Sequence, residues 1–198
     1  DQGSRPTCLA FALSDAHSAA RGVLEQLSVE HLYYHAVART PGGHPDDGVA
    51  LSAAQDALRI DGQSVEADWP YLPAVPSTLS KWKPPASAAR VYTRDTHLTT
   101  PKVADVIARL DLGRPVVMVM MLGERFYKPI DGLVRLGLND ADTDLHAVIA
   151  VGHGECDNGD QCVLVRNSWG DDWALEGYAW ISAPYLESRL RCAVIMNV

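Results

Sequence analysis

The stretch VLVRNSWGDDWALEGYAWIS, residues 163–182, is where the fold class is read. Val163, Leu164 and Val165, between Cys162 and Arg166, form a short apolar run rich in β-favouring residues. Asn167-Ser168-Trp169-Gly170 follows, and on its own it reads as a turn. Tyr178 to Ile181 is a second short β-rich run. The same rhythm continues outward on both sides, in Pro115–Met121, Leu133–Leu138, Ala147–Val151 and Cys192–Met196. Short runs separated by turns predict a β-rich region over about 90–198.

The first half has a different period. From Cys8 to about Leu27, Leu9, Ala12, Leu13, Ala16 and Ala20 fall at helical spacing, with Thr7 as the expected N-cap. Ser28 is placed to cap a second helix, Val29–Ala38, and a Gly/Pro-rich loop follows, Thr40-Pro41-Gly42-Gly43-His44-Pro45. Val49–Ile60 predicts a third helix, closed by Asp61-Gly62. Pro70, Pro73, Pro76, Pro84 and Pro85 mark Trp69–Ala89 as the expected connection between two lobes. Thr100-Pro101 is expected to open one more helix, ending at Gly113. A helical lobe over 1–85 followed by a β-rich lobe over 90–198 is an α+β chain.

Composition narrows the function classes. The 198 residues are 47% hydrophobic and 21% charged, which suits a folded domain with a real core. Lys and Arg number 17 against 25 Asp and Glu, a formal net charge of −8. That balance argues against nucleic acid as the main partner and against an anionic membrane surface. The longest apolar run, Val116–Leu122, is far too short for a membrane span, and Asp1-Gln2-Gly3-Ser4-Arg5 does not read as a signal peptide.

Three residues together suggest acyl-transfer chemistry. Cys8 is expected in the first turn of a helix, where unpaired N–H groups and the helix dipole favour a thiolate. A free thiol has a pKa of about 8.5, so a neighbouring imidazole is also needed. Gln2, six residues before Cys8, can bring a side-chain amide towards the sulfur and form an oxyanion hole with the Cys8 N–H. His146 opens an apolar run and Asn167 closes another. Taken singly, Cys8 reads as a small buried residue and His146 as a structural histidine. Taken together they supply a nucleophile, a base and a group that orients the base.

In these motifs the chain resembles the papain-like cysteine peptidases, whose Cys-His-Asn catalysis is a known pattern. The family's Gln-Gly, its cysteine six positions after the Gln and the Trp-Ala-Phe that follows stand here as Gln2-Gly3, Cys8 and Leu9-Ala10-Phe11. Its His-Ala-Val and Val-Gly-Tyr-Gly are similar to His146-Ala147-Val148 and Val151-Gly152-His153-Gly154. Its Asn-Ser-Trp-Gly, second Trp and Gly-Tyr match Asn167-Ser168-Trp169-Gly170, Trp173 and Gly177-Tyr178. Phe126 and Tyr127, before Asp131-Gly132-Leu133, also fit.

The resemblance implies a two-lobed papain-like fold with the active-site cleft between the lobes. It makes Cys8 the nucleophile of a peptidase working through a thioester, His146 the acid/base, Asn167 its orienter and Gln2 the oxyanion donor. Trp169 would shield the His146–Asn167 bond. Gly42, Gly43, His44 and Pro45 resemble the substrate loop, with Gly43 offering backbone hydrogen bonds. A largely apolar pocket for the second residue before the scissile bond would take His44 and Pro45, with Val119, Leu145 and Ala147. The implied partners are a peptide or protein substrate and a propeptide or inhibitor protein, acting on a monomeric catalytic domain. No cofactor is implied.

The departures are specific. Arg5 stands where the family has a cysteine three residues before the nucleophile, so the disulfide made there is absent. Pro6-Thr7 replaces Gly-Ser, Leu9 replaces Trp, and Ala174 stands where glycine is usual. Family members also carry more residues before the Gln, so this chain is expected to be a processed form, a fragment or one domain of a longer protein. Rival readings are a papain-fold amidase or acyltransferase, the catalytic domain of a secreted effector or toxin, and a peptide-binding pseudo-enzyme.

Outside these motifs, Cys156 and Cys162 flank the turn signal Asn158-Gly159 and are open to a disulfide across a hairpin; with His153 they lack the fourth ligand of a metal site, and no metal is expected. Cys192 is expected in the core. His17, His31 and His35 are expected at the surface or partly buried on helices. Asp46-Asp47, Asp140–Asp144 and Asp171-Asp172 read as solvated acidic loops.

Overall fold

The computed structural model describes residues 1–22, 25–138 and 140–197. Its chain divides into two units, Gln2–Thr96 with Met196–Val198, and Asp1 with His97–Ile195.

The first unit is helical. Helix α1, Cys8–Arg21, buries a stripe of Leu9, Ala12, Leu13 and Ala16. It stops well short of the predicted Leu27 because Gly22 adopts φ 65° and turns its N–H back onto the Ala19 carbonyl. The part of the predicted helix over Val23 and Leu24 lies outside the described residues, and Leu27 is extended, bridged to Val65. Thr7 does not cap α1; its hydroxyl is bonded to the Tyr71 hydroxyl at 2.8 Å. Ser28 does cap helix α2, Val29–Arg39, accepting from the His31 N–H at 3.0 Å.

Helix α3, Leu51–Asp56, runs on as a π-helical turn, Ala57–Asp61, and ends at Gly62 with φ 73°. A Cβ at Gly62 would stand 2.7 Å from the Tyr92 carbonyl oxygen. The Pro-rich stretch carries two short 3-10 turns, Leu79–Lys81 and Ala86–Ala89, and is anchored by the buried Trp69 and Trp82. His17 and His31 are not surface residues: both are buried, because each ring completes a polar cluster between elements.

The second unit is a seven-stranded sheet. Its strands are β1 Thr96–Thr99, β2 Val116–Met121, β3 Leu133–Val134, β4 Leu145–Glu155, β5 Gln161–Arg166, β6 Tyr178–Ser182 and β7 Leu190–Met196. Their order is β1-β7-β2-β4-β5-β6-β3. The pairs of β2 with β4 and β7, β4 with β5, and β5 with β6 are antiparallel, whereas β3 and β6 run parallel. One face packs Met118, Met120, Val148, Val163, Val165 and Ile181 into the core.

Among the described residues three helices complete this unit: α4 Val103–Leu110, α5 Glu124–Tyr127 and α6 Ala183–Arg189. Helix α4 begins at Val103, after the expected Thr100-Pro101 start, because Lys102 is still extended. Cys192 is half-buried, not in the core. Asp140 is buried at 3% side-chain exposure and paired with Arg189, so Asp140–Asp144 is not simply a solvated loop. Cys156 and Cys162 are joined as a disulfide, their Cα atoms 5.9 Å apart across the β4–β5 hairpin.

Candidate active site

His146, near the start of β4, is 6% exposed. Its Nε2 lies 2.7 Å from the Asn167 Oδ1. The Ser168 backbone N–H donates to the same Oδ1 at 2.8 Å. A backbone N–H requires an acceptor, so the amide orientation of Asn167 is fixed with its oxygen towards the ring. Nε2 must therefore be the donor, and in the neutral ring Nδ1 carries the lone pair. Asn167 is held in turn by its own N–H on the Gly177 carbonyl, 2.9 Å.

The turn Asn167–Gly170 places Trp169 over this pair. The Trp169 and His146 ring centroids are 4.7 Å apart. Tyr127 stacks on Trp169 at 5.4 Å and 16°, and its hydroxyl donates to Asp144 at 2.7 Å. Phe126 lies edge-on to Trp169 at 5.4 Å, while the Trp173 indole donates to the Phe126 carbonyl at 3.2 Å. Burial pushes the His146 pKa down to about 4, against the opposing pull of the Asn167 bond and the Asp144 charge. The imidazolium is thus costly here unless an anion accompanies it.

In the helical unit, Cys8 is half-buried at the first position of α1. Gln2 is buried, and its Nε2 donates to the Arg5 carbonyl at 2.8 Å. The same carbonyl accepts from the Thr7 N–H at 2.9 Å. Tyr71 donates to the Gln2 carbonyl at 2.9 Å. The segment before the cysteine is therefore a fixed turn.

The expected substrate residues fall into two groups. Val119 stands opposite Ala147 across β2 and β4, and Leu145 lies two residues along the same face, 60% exposed. In the helical unit Gly42, Gly43 and His44 are exposed. The Gly43 N–H, however, is already bonded to the Thr40 carbonyl at 2.8 Å. Pro45 is buried and its carbonyl accepts from Tyr33 at 3.1 Å. Sequence reasoning missed the supports: Glu30, Tyr71 and Trp82 around Arg5, and Arg189 behind Asp140–Asp144. Only the run Trp69-Pro70-Tyr71, aromatic residues amid prolines, signalled that this loop is anchored.

The comparisons agree with the fold. A probable cysteine protease, RD21B, of Arabidopsis thaliana is 28% identical over all of this chain, which covers 42% of that protein. The cysteine proteinase COT44 of Brassica napus is 28% identical over all of this chain and is covered to 59%. The chain thus spans about two fifths to three fifths of these relatives. Among solved structures, xylellain, a cysteine protease from Xylella fastidiosa, has a TM-score of 0.77 at 21% identity, over 97% of this chain and 79% of that one. A Carica candamarcensis cysteine protease in complex with E-64 has a TM-score of 0.76 at 22% identity, over 100% of this chain and 91% of that one. Their fold is the papain-like α+β fold. The model of the papain family cysteine proteases matches residues 1–196, and the chain belongs to that family.

Proposed function

We propose that this chain hydrolyses peptide bonds with Cys8 as nucleophile, His146 as acid/base, Asn167 as orienter and Gln2 as oxyanion donor. The observation that carries the reading is the 2.7 Å bond from His146 to an Asn167 whose orientation is fixed by Ser168. It leaves Nδ1 as the nitrogen that exchanges protons with the nucleophile and the leaving group.

The Cys8 thiolate attacks the scissile carbonyl, and the oxyanion is met by the Gln2 amide and the Cys8 N–H. His146 gives its proton to the departing amine, leaving a thioester. Water then loses a proton to His146 as its oxygen attacks the thioester, and the Cys8 thiolate departs. Burial disfavours the imidazolium by itself, so this chemistry needs the thiolate as its counter-ion. The two groups then titrate as a pair. Val119, Leu145 and Ala147 offer an apolar face, which supports a preference for an apolar residue at the second position before the scissile bond. Burying a Leu- or Val-sized group there gains roughly 1.5–3 kcal/mol.

The test uses E-64, the compound bound in the Carica protease structure. It is expected to stop turnover of a Leu-containing peptide amide and to add its mass to Cys8. Cys8→Ala is expected to lose turnover and labelling while keeping the circular dichroism of the parent. Labelling at another residue, or turnover in Cys8→Ala above about one part in a thousand, refutes the assignment. Fastest cleavage with Arg, Lys, Asp or Glu at the second position refutes the apolar pocket.

A further inference from the structure

We infer that Arg5 and Tyr71 are positioning residues: with Glu30 they form a clamp that holds the Gln2 amide in place, supplying without a covalent bond the tie that a disulfide makes in the family. This rests on the proposed role of Gln2.

The clamp begins at the backbone. The Arg5 carbonyl receives both the Gln2 side-chain amide, at 2.8 Å, and the Thr7 N–H, at 2.9 Å. Wherever Arg5 sits, the proposed oxyanion donor and the residue preceding Cys8 follow. The position of Arg5 is set by its side chain. Its guanidinium forks onto Glu30 with bonds of 2.6 and 3.0 Å and also donates to the Leu72 carbonyl at 2.7 Å. Glu30 lies on α2, is fully buried, and accepts further bonds from the Leu72 N–H at 3.0 Å and the Trp82 indole at 2.6 Å. One carboxylate thus joins the segment before Cys8, helix α2 and both ends of the stretch Leu72–Trp82.

A forked Arg–carboxylate pair fixes direction as well as distance. The Arg5 guanidinium is also flanked by the rings of Tyr71 and Tyr33, at 4.9 and 5.3 Å. Tyr71 closes the other side: its hydroxyl donates to the Gln2 carbonyl at 2.9 Å and receives the Thr7 hydroxyl at 2.8 Å. The Phe11 ring, one turn into α1, packs edge-on against Tyr71 at 4.9 Å. Both ends of Gln2, side chain and carbonyl, are therefore held by groups belonging to this network.

A buried pair replaced whole by apolar residues is often tolerated, whereas removing one partner strands a charge. The test therefore uses the paired variant Arg5→Met with Glu30→Leu, and independently Tyr71→Phe, which removes one hydroxyl from a half-buried ring. Each is made in the parent and in Gln2→Ala. The readouts are kcat, KM and the mass-resolved rate of Cys8 alkylation by iodoacetamide. Misplacing an oxyanion donor weakens only the transition state, so kcat is expected to fall about tenfold or more in the paired variant and severalfold in Tyr71→Phe, with KM unchanged. Alkylation, which needs no oxyanion hole, is expected to stay within about twofold to threefold. In the Gln2→Ala background both kcat losses should disappear, because the clamp acts through that amide.

Unchanged kcat in Tyr71→Phe overturns the clamp whether or not the paired variant folds, and so does a loss of full size in the Gln2→Ala background. In either case Cys8→Ala still lacks turnover and the proposed site stands. Turnover in Cys8→Ala instead overturns the reading of the site, and the clamp with it.

Discussion

Lowering the pH from 7.5 to 5 is expected to cost the helical unit about 4 kcal/mol of stability through His17 and His31 alone. The geometry explains why. Gln63 spends both amide hydrogens, on the Ser14 hydroxyl at 2.6 Å and the Ser28 carbonyl at 3.0 Å, so its oxygen faces His17 Nδ1 at 2.9 Å. His17 must therefore donate from Nδ1. Its Nε2 is buried with no hydrogen-bond partner, so a proton added there meets no acceptor and lies near the Arg21 and Arg94 charges. His31 is held the other way: its Nδ1 accepts from the Ser64 N–H at 3.0 Å, and protonation would destroy that bond. His31 faces His35 and Trp69 at 4.9 and 5.7 Å, with Asp61 the nearby charge that opposes the effect.

Burial pushes the pKa of both rings down to about 4. In the unfolded chain they titrate near the usual value of about 6.5. As pH falls the unfolded state takes up protons first, so the contribution is complete above about 6.5 and is lost progressively down to about 4. At pH 5 each histidine accounts for about 2 kcal/mol, and the pair for a large part of a typical folding free energy of about 5–15 kcal/mol. His35, also lowered by burial, adds in the same direction. The assay is urea unfolding at pH 7.5, 6 and 5, followed by tryptophan fluorescence, for the parent and for His17→Gln with His31→Gln. His146 shifts the same way, so the difference between the two proteins is the decisive quantity. A fall of equal size in the double variant refutes the assignment, as does a parent whose midpoint does not move.

Three further outcomes follow from single contacts. Asn167→Ala should lower kcat by about 10- to 100-fold with little change in KM, since His146 loses its orienting acceptor; steady-state kinetics equal to the parent would exclude that role. Ala174 adopts φ 51°, which explains why glycine is usual at that position, and Ala174→Gly should raise the unfolding free energy by up to about 1 kcal/mol in a thermal melt. Arg189 is 1% exposed and donates to Asp142 and to the Asp140 and Leu122 carbonyls. Arg189→Met should therefore cost about 3–5 kcal/mol in urea, partly restored by adding Asp140→Asn.

The parts of this molecule legible in its sequence are those set by local chemistry. Ser28 caps α2 because an N-cap hydroxyl needs only a residue three positions on. The runs around Asn167 are strands as read, and the glycines at 62, 170 and 177 take the positive φ that turns require. The errors arise where tertiary pairing decides. Strand β4 runs through Gly152, His153 and Gly154 despite two glycines, because β5 supplies a continuous partner from Leu164 to Cys162. Leu133–Leu138 is apolar except for Arg135, yet only Leu133 and Val134 find a partner, on β6. The buried ion pairs were not legible at all: Arg5 and Glu30 are 25 residues apart, and Arg189 and Asp140 are 49 apart, with no local pattern to join them.

Those pairs change what a reductant should do to this protein. The proposed mechanism needs Cys8 reduced, and a fold that tied the segment before it with a disulfide would face opposing redox demands. Here that segment is held by Arg5 and Glu30, and the loop leading to His146 by Arg189, none of which is redox-sensitive. The single disulfide described, Cys156–Cys162, closes a loop of sequence separation 6 at the tip of the β4–β5 hairpin. Constraining so short a loop stabilises by only roughly 2 kcal/mol in the chain-entropy estimate. In the β4–β5 ladder Gly154 pairs with Cys162 one step from one end, and Ile149 with Arg166 at the other, next to Asn167. At about 3.3 Å per residue the cystine is some 13 Å along β5 from the Arg166 end. Reduction is expected to free the hairpin tip and to leave the His146–Asn167 bond in place, since His146 is held by its pairing with Met120 on β2 and Asn167 by its N–H on the Gly177 carbonyl.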